Sequence, residues 1–80
     1  MEYFVYILED ESGKKYKGMT NDLNRRFHEH LRGKTKTTKR MKDLRLVYSE
    51  EFNTFEEARK RELYFKTAAG RKFIKKTLGV

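Results

Sequence analysis

The sequence contains no cysteine and no proline, and only two histidines. Without cysteine there is neither a disulfide framework nor a thiolate zinc site. His28 and His30 alone do not make a zinc site of any ordinary kind. No apolar run approaches the roughly 20 residues that span a bilayer, and the N-terminus has no signal-peptide pattern. A cytoplasmic protein without a membrane partner is therefore expected. No repeat and no low-complexity tract marks an internal boundary, and 80 residues make a single domain, 1–80. A chain this short buries only about 60% of its unfolded surface, so its core is small.

What is abundant is positive charge, and it is unevenly spread. Lys and Arg number 20 against 12 Asp and Glu, a net charge of +8. Residues 1–24 carry three basic and five acidic side chains. From Arg25 to Arg45 there are nine basic and two acidic, and from Arg59 to Lys76 eight basic and one acidic. Positive charge gathered in two blocks suits a polyanion binder, because phosphate neutralisation releases counterions. Solubility alone also makes small proteins basic.

The hydrophobic pattern orders the chain. Residues 3–8 are all apolar or aromatic, with Tyr3, Val5 and Ile7 facing one way and Phe4, Tyr6 and Leu8 the other. A strand apolar on both faces is covered on both, so it belongs at the centre of its sheet. Asp10-Glu11-Ser12-Gly13 is a polar turn. Lys14 to Thr20 returns as a hairpin partner, with Tyr16, Gly18 and Thr20 on one face and Lys15, Lys17 and Met19 on the other. Thr20 or Asn21 caps a helix that Gly33 ends near Arg32. Leu23, Phe27 and Leu31 form its apolar stripe; Arg26 and His30 edge that stripe, and Arg25 points away.

Gly33 to Asp43 has no apolar period and reads as a basic, hydroxyl-rich loop. Leu44 to Phe52 is a third strand, with Leu44, Leu46 and Tyr48 on one face and Val47 on the other. Thr54-x-x-Glu57 is a capping box. The helix it starts has Phe55, Ala58, Phe65 and Ala69 on its core face, with Glu62 inside that face. Gly70 breaks the helix, and a basic segment carries Phe73, Ile74 and Leu78 back onto the core. The expected fold class is α/β (α+β): a three-stranded antiparallel sheet in β-β-α-β-α-α order with helices packed around it.

Five residues stand out for chemistry: Tyr6, Tyr16, Arg26, His30 and Glu62. Taken singly each has an ordinary explanation. Strand tyrosines pack, an edge arginine snorkels, and most helix histidines are satisfied structurally. An ionised carboxylate among aromatics costs several kcal/mol unless paired or bound to a cation. Glu62 is thus either half of an ion pair, with Arg26 a candidate partner, or a metal ligand or acid at the floor of a cleft.

Phe4-Val5-Tyr6, Tyr16-Lys17-Gly18, Leu23-x-x-Arg26, His30 and Glu62, in that order and spacing, resemble the GIY-YIG nuclease superfamily. That superfamily includes homing endonucleases, an excision-repair incision domain, restriction enzymes and resolvases. Tyr16-x-Gly18-x-Thr20-Asn21-Asp22-Leu23 and Arg61-Glu62-x-x-x-Lys66-Thr67-x-x-Gly70-Arg71-Lys72-Phe73 look like its small stand-alone bacterial members. The resemblance implies a DNA endonuclease using Mg2+ or Mn2+, acting in repair or recombination. By position it implies that Tyr6 or Tyr16 helps activate water, that Arg26 steadies the scissile phosphate, and that Glu62 holds the metal. His30 would tune a tyrosine or touch phosphate. Phe4 stands where the first motif has glycine, Lys17 where the second has isoleucine, and no asparagine follows Glu62.

Lys17, Arg25, Lys34, Lys36, Lys39, Arg40, Lys66, Arg71 and Lys72 are the candidate contacts to DNA phosphates. So small a module has little surface for reading sequence. Structure-selective or weakly selective cleavage is expected, with a protein partner or dimer for targeting. The alternative is a catalytically weak nucleic-acid-binding module that keeps the fold. Glu62 discriminates between them, since a carboxylate facing the cleft repels phosphate and serves a pure binder nothing.

Overall fold

A computed structural model describes residues 2–33 and 38–79. Its elements are β1 (Tyr3–Glu9), β2 (Lys15–Thr20), α1 (Leu23–Leu31), β3 (Arg45–Phe52), α2 (Phe55–Phe65) and α3 (Ala68–Leu78). The three strands form one antiparallel sheet in the order β2-β1-β3, so the doubly apolar strand is indeed central and β2 is an edge. Asp10 ties the β1–β2 turn: its Oδ1 accepts from Ser12 N, Ser12 Oγ and Lys14 N at 2.8–3.0 Å, and Gly13 takes φ +87°. Among the described residues no helix is long and apolar enough to cross a membrane.

The alternation of β1 divides the core in two. Val5 and Ile7 pack with Ala58, Phe65 and Ile74 of α2 and α3. Tyr6 and Leu8 pack with Leu44, Tyr16, and Leu23 and Phe27 of α1. The third strand departs from simple alternation. Ile7 pairs with Tyr48 and Leu8 with Leu46, so a bulge leaves Val47 as an extra residue. Tyr48 and Val47 therefore both join the α2–α3 side, and only Leu44 lies firmly on the α1 side. The expected grouping of Tyr48 with Leu44 and Leu46 fails for that reason.

Helix ends also differ in detail from the pattern. Asp22 is the N-cap of α1, its side chain accepting from Arg25 N at 3.0 Å. Leu31 is 52% exposed, and His30 is buried in its place. Thr54 caps α2 as expected, accepting from Glu57 N and donating to the Glu57 carboxylate. The break between α2 and α3 falls at Thr67, which caps α3 by accepting from Gly70 N. Gly70 lies inside α3, and Ala69 is exposed there rather than in the core of α2. A Cβ on Gly70 would stand 1.9 Å from the Tyr64 carbonyl oxygen, so glycine is needed for close helix approach, not for a break.

One polar joint links β3 to both C-terminal helices. Arg61 donates from Nε and Nη2 to the two Glu50 oxygens at 2.8 and 3.0 Å, and Tyr48 donates to Glu50 as well. The Arg61 guanidinium also lies 4.7–5.0 Å from the ring centres of Tyr64, Phe65 and Phe73. Lysine can supply neither the planar fork nor the stacking. Arg61→Lys should destabilise the domain by roughly 1–3 kcal/mol in urea unfolding, a range set by the partial exposure of the pair and its cation–π contacts. A change within error would show that the joint does not hold the helices.

Candidate active site

Strand register places the first two site residues. Tyr6 pairs across β1–β2 with Gly18, and Tyr16 pairs with Leu8. Tyr6, Tyr16 and Gly18 therefore share one face, with the two phenol rings 6.2 Å apart. A Cβ on Gly18 would come within 2.7 Å of Tyr6 Oη, 2.8 Å of Tyr6 Cζ and 3.0 Å of Tyr16 Cε1. The absent side chain is the space that the Tyr6 ring occupies.

Helix α1 crosses this face and lowers His30 onto it. The imidazole centre lies 4.8 Å from that of Tyr16 and 5.8 Å from that of Tyr6. Its Nε2 is 2.9 Å from Tyr6 Oη, and its Nδ1 is 2.7 Å from Thr38 Oγ1. Tyr6, His30 and Thr38 are each only 1% exposed. Tyr16 is half-buried and forms the more open side of the pair. Neutral imidazole has one donor and one acceptor nitrogen, and each hydroxyl can donate or accept. The chain Tyr6–His30–Thr38 thus has two complete proton arrangements. In one, Tyr6 donates to Nε2 while Nδ1–H donates to Thr38. In the other, Nε2–H donates to Tyr6 while Thr38 donates to Nδ1.

Arg26, one turn before His30, puts a positive charge beside both phenols. Burial pushes the Tyr6 phenol up to about 12, the Arg26 charge pulling against it and neighbouring Tyr16 adding to the rise. The Tyr6 oxygen, and next Glu29, raise Arg26 further above its high ordinary value, so it stays a cation; its Nη1 is 3.0 Å from Glu29 Oε1. Burial, and then Arg26, push His30 below its ordinary 6.5, with Glu29 opposing. The buried imidazole is neutral near pH 7 and free to accept a proton.

Glu62 arrives separately. It projects from α2, which covers the Val5/Ile7 face and borders β2. The residue is 7% exposed. Its Oε1 accepts from Arg59 Nη1 at 2.7 Å and its Oε2 from Lys66 Nζ at 3.3 Å. Of the two readings of Glu62, the ion pair forms, but with Arg59 and Lys66 and not with the candidate Arg26, which turns to Glu29 on its own helix. So Tyr6, Tyr16, Arg26 and His30 come together directly, while Glu62 approaches the edge strand from the other face. Thr38 was not legible as a site residue, since it sits in a Lys–Thr run without period. Arg59 was likewise missed, although an i, i+3 partner for Glu62 is visible once the helix is drawn.

Of the candidate DNA contacts, Arg25, Lys39, Arg40, Lys66, Arg71 and Lys72 are exposed and Lys17 is half-buried. Lys34 and Lys36 lie outside the described residues. No group of three or more potential metal ligands occurs among the described residues.

Paired strand tyrosines over a glycine, with an arginine and a histidine one helical turn apart beside them, sit in a domain whose family match is to a nuclease-type fold. The chain belongs to the GIY-YIG family, whose catalytic-domain model it matches over residues 2–76. Among its relatives it is 39% identical over 74 residues to a UPF0213 protein of Staphylococcus aureus, covering 91% of this chain and 90% of that one. It is 38% identical over 68 residues to a UPF0213 protein of Limosilactobacillus reuteri, covering 81% and 71%. The solution NMR structure of a UPF0213 protein from Bacillus halodurans is similar with a TM-score of 0.60 at 37% identity, over 96% of this chain and 83% of that one.

Two outcomes test the site. Gly18→Ala should displace Tyr6, cost about 1–3 kcal/mol by overpacking, and move the His30 titration back toward 6.5 in NMR. An unperturbed His30 would show that the Tyr6 ring does not depend on the gap. The second outcome is a pH dependence. Because His30 titrates lower folded than unfolded, the unfolded chain binds more protons between those values, and stability falls as pH drops below 6.5. The wild-type melting temperature should therefore decline from pH 7 toward pH 5, before Glu50 and Asp10, both held below their ordinary values, begin to contribute. His30→Gln should flatten that interval, and equal slopes in both proteins would remove His30 as the cause.

Proposed function

We propose that this protein is a metal-dependent DNA endonuclease that hydrolyses phosphodiester bonds, structure-selective or weakly selective, in DNA repair or recombination. The observation that carries the reading is the buried Tyr6–His30 hydrogen bond beside Arg26. A phenol near 12 is a poor base alone at neutral pH. It becomes effective when a neutral imidazole takes its proton in the same step, the logic of a nucleophile backed by a base and an orienting group. His30 is the base in that scheme and Thr38 the orienting group.

The chemistry then follows from this chain's own groups. Arg26 binds the scissile phosphate through paired N–H donors and stabilises the charge that grows on its oxygens. A water attacks phosphorus, and the bond to the leaving strand's oxygen breaks. The water's proton enters the phenol pair, with Tyr16 on the open side and Tyr6 behind it, and comes to rest on His30 Nε2. The leaving oxygen is protonated from solvent, which gives one phosphate and one hydroxyl end.

The residues present fit a hard, largely hydrated cation. Glu62 supplies a buried all-oxygen donor, and no group of three or more potential ligands forms among the described residues. Mg2+, or Mn2+ in its place, tolerates one carboxylate with water at most other positions. Arg59 and Lys66 are about half exposed, so both can swing away. When bound, such an ion supplies Lewis-acid stabilisation of the phosphate and its leaving oxygen. The net charge of +8 supports a polyanionic substrate; a protein partner or dimer would supply the targeting that so small a surface lacks.

Labelled single-stranded, duplex, flap and four-way-junction DNA, incubated with Mg2+ or Mn2+, should be cleaved by the wild type. Glu62→Ala should abolish cleavage and leave binding equal or tighter, since a negative charge has gone. His30→Gln and Tyr6→Phe should each slow cleavage by roughly 10²–10⁴-fold, the range of general-base loss. Salt-sensitive binding with no cleavage of any substrate would favour the binding-module reading instead.

A further inference from the structure

Outside the tyrosine cluster, four basic side chains line a cavity of about 240 Å³ between β2 and α3. Its walls are Lys15, Lys17, Arg71 and Lys75, and its floor is Ile74. Local geometry explains the gathering. Arg71, Ile74 and Lys75 stand at i, i+3 and i+4 on one side of α3. Lys15 and Lys17 stand at i and i+2 on the face of β2 opposite Tyr16 and Gly18. Lys15 is already paired with Glu9 at 3.1 Å. Lys17, Arg71 and Lys75 have no ion-pair partner among the described residues, although acidic side chains make several pairs elsewhere. Burial, and then the charges of Arg71, Lys15 and Lys66, push Lys17 below its ordinary value. Cations held together without an acid repel one another, and an anion relieves that repulsion.

We infer that the Lys17–Arg71–Lys75 cavity is a second phosphate site, which holds a backbone phosphate of the nucleic-acid strand on the sheet face opposite Tyr6. This rests on the nucleic-acid reading above and adds the path of the strand. β2 is an unpaired edge, and its successive residues serve the two faces alternately. A strand that crosses this edge meets Tyr16 and Gly18 on one side and Lys17 on the other. The volume accommodates a phosphate group with part of its hydration, since a water occupies about 30 Å³ in the liquid. Ile74, 3% exposed, forms the apolar floor beneath these side chains. Glu62 and Lys66 lie beside this face, so the edge of β2 is where a single strand reaches both the carboxylate and the phenols.

The test measures binding alone, without divalent metal, so that cleavage plays no part. Fluorescence anisotropy with a labelled single strand of about twelve nucleotides is compared for wild type, Arg71→Ala/Lys75→Ala, and Lys60→Ala/Lys76→Ala. The last pair removes the same charge from exposed positions away from the cavity. The cavity pair should lose on the order of tenfold in affinity and lower the salt slope by about 0.7, the single-strand value for the one phosphate held there. The control pair should change affinity by less than about twofold. Lys75→Glu should weaken binding more than Lys75→Ala, and inorganic pyrophosphate should shift the amide resonances of Lys17 and Arg71. Equal losses in the cavity and control pairs would overturn the site while leaving nucleic-acid binding standing. Absence of binding by the wild type would overturn both.

Discussion

A phenol hydroxyl buried at the centre of a small sheet sets the terms for the rest of this domain. Stripping such a group of water costs several kcal/mol unless a partner replaces it. Tyr6 is answered by His30, and His30 in turn by Thr38 from the following loop. Each answer fixes a segment. Tyr6 requires glycine at position 18, His30 sets the rotation of α1 about its axis, and Thr38 anchors the chain between α1 and β3. Leu23 and Phe27, the apolar members of α1, are only partly buried. The polar chain therefore supplies much of what seats this helix, and on the proposed reading the same bonds would let Tyr6 act as a base.

The two faces of the sheet divide the labour. The Val5/Ile7 side is aromatic, with Phe65 and Phe73 stacked 6.0 Å apart and Ala58 and Ile74 packed close. Arg61 is held there between Glu50 and three rings, and β3 cannot drift from α2 without breaking that joint. With stability concentrated on one side, the other can carry phenols, an imidazole and a guanidinium. Few domains of this size tolerate so much polarity in their interior unless every member is bonded. Among the described residues no buried side-chain nitrogen or oxygen lacks a partner.

Much of this was legible in the sequence, and the failures have physical causes. Alternation along Tyr3–Leu8 determined both the centrality of β1 and the pairing of faces, because a strand's period cannot be evaded without a bulge. The bulge at Val47 is such an evasion, and nothing in Leu44–Phe52 announces it. Helical periodicity located Arg26 and His30 but buried Leu31 instead of His30; hydrophobicity scales rank leucine higher, and only a waiting hydroxyl reverses the order. Gly70 looked like a terminator because glycine usually is one. Its role is steric, set by the Tyr64 carbonyl in the next segment over, and a one-dimensional pattern carries no such information. Thr38 was hidden for the same reason. The ordered set from Tyr6 to Glu62, by contrast, led to the family because its spacing survives even where Phe4 and Lys17 replace the motif's own letters.

Glu62 remains the residue on which structure and chemistry pull against each other. Its two oxygens are occupied by Arg59 and Lys66, so the buried charge is neutralised without a metal. Were those partners themselves buried, exchanging them for an ion and a phosphate would forfeit a desolvated pair, at a cost of several kcal/mol. They are instead about half exposed. Pairs to such side chains are worth on the order of 1 kcal/mol or less and are further weakened by salt. Were the proposed phosphate to enter beside Lys17, it would also attract Lys66 away from the carboxylate. The arrangement thus keeps Glu62 folded and satisfied at rest while leaving its oxygens cheaply available when substrate brings its own charge.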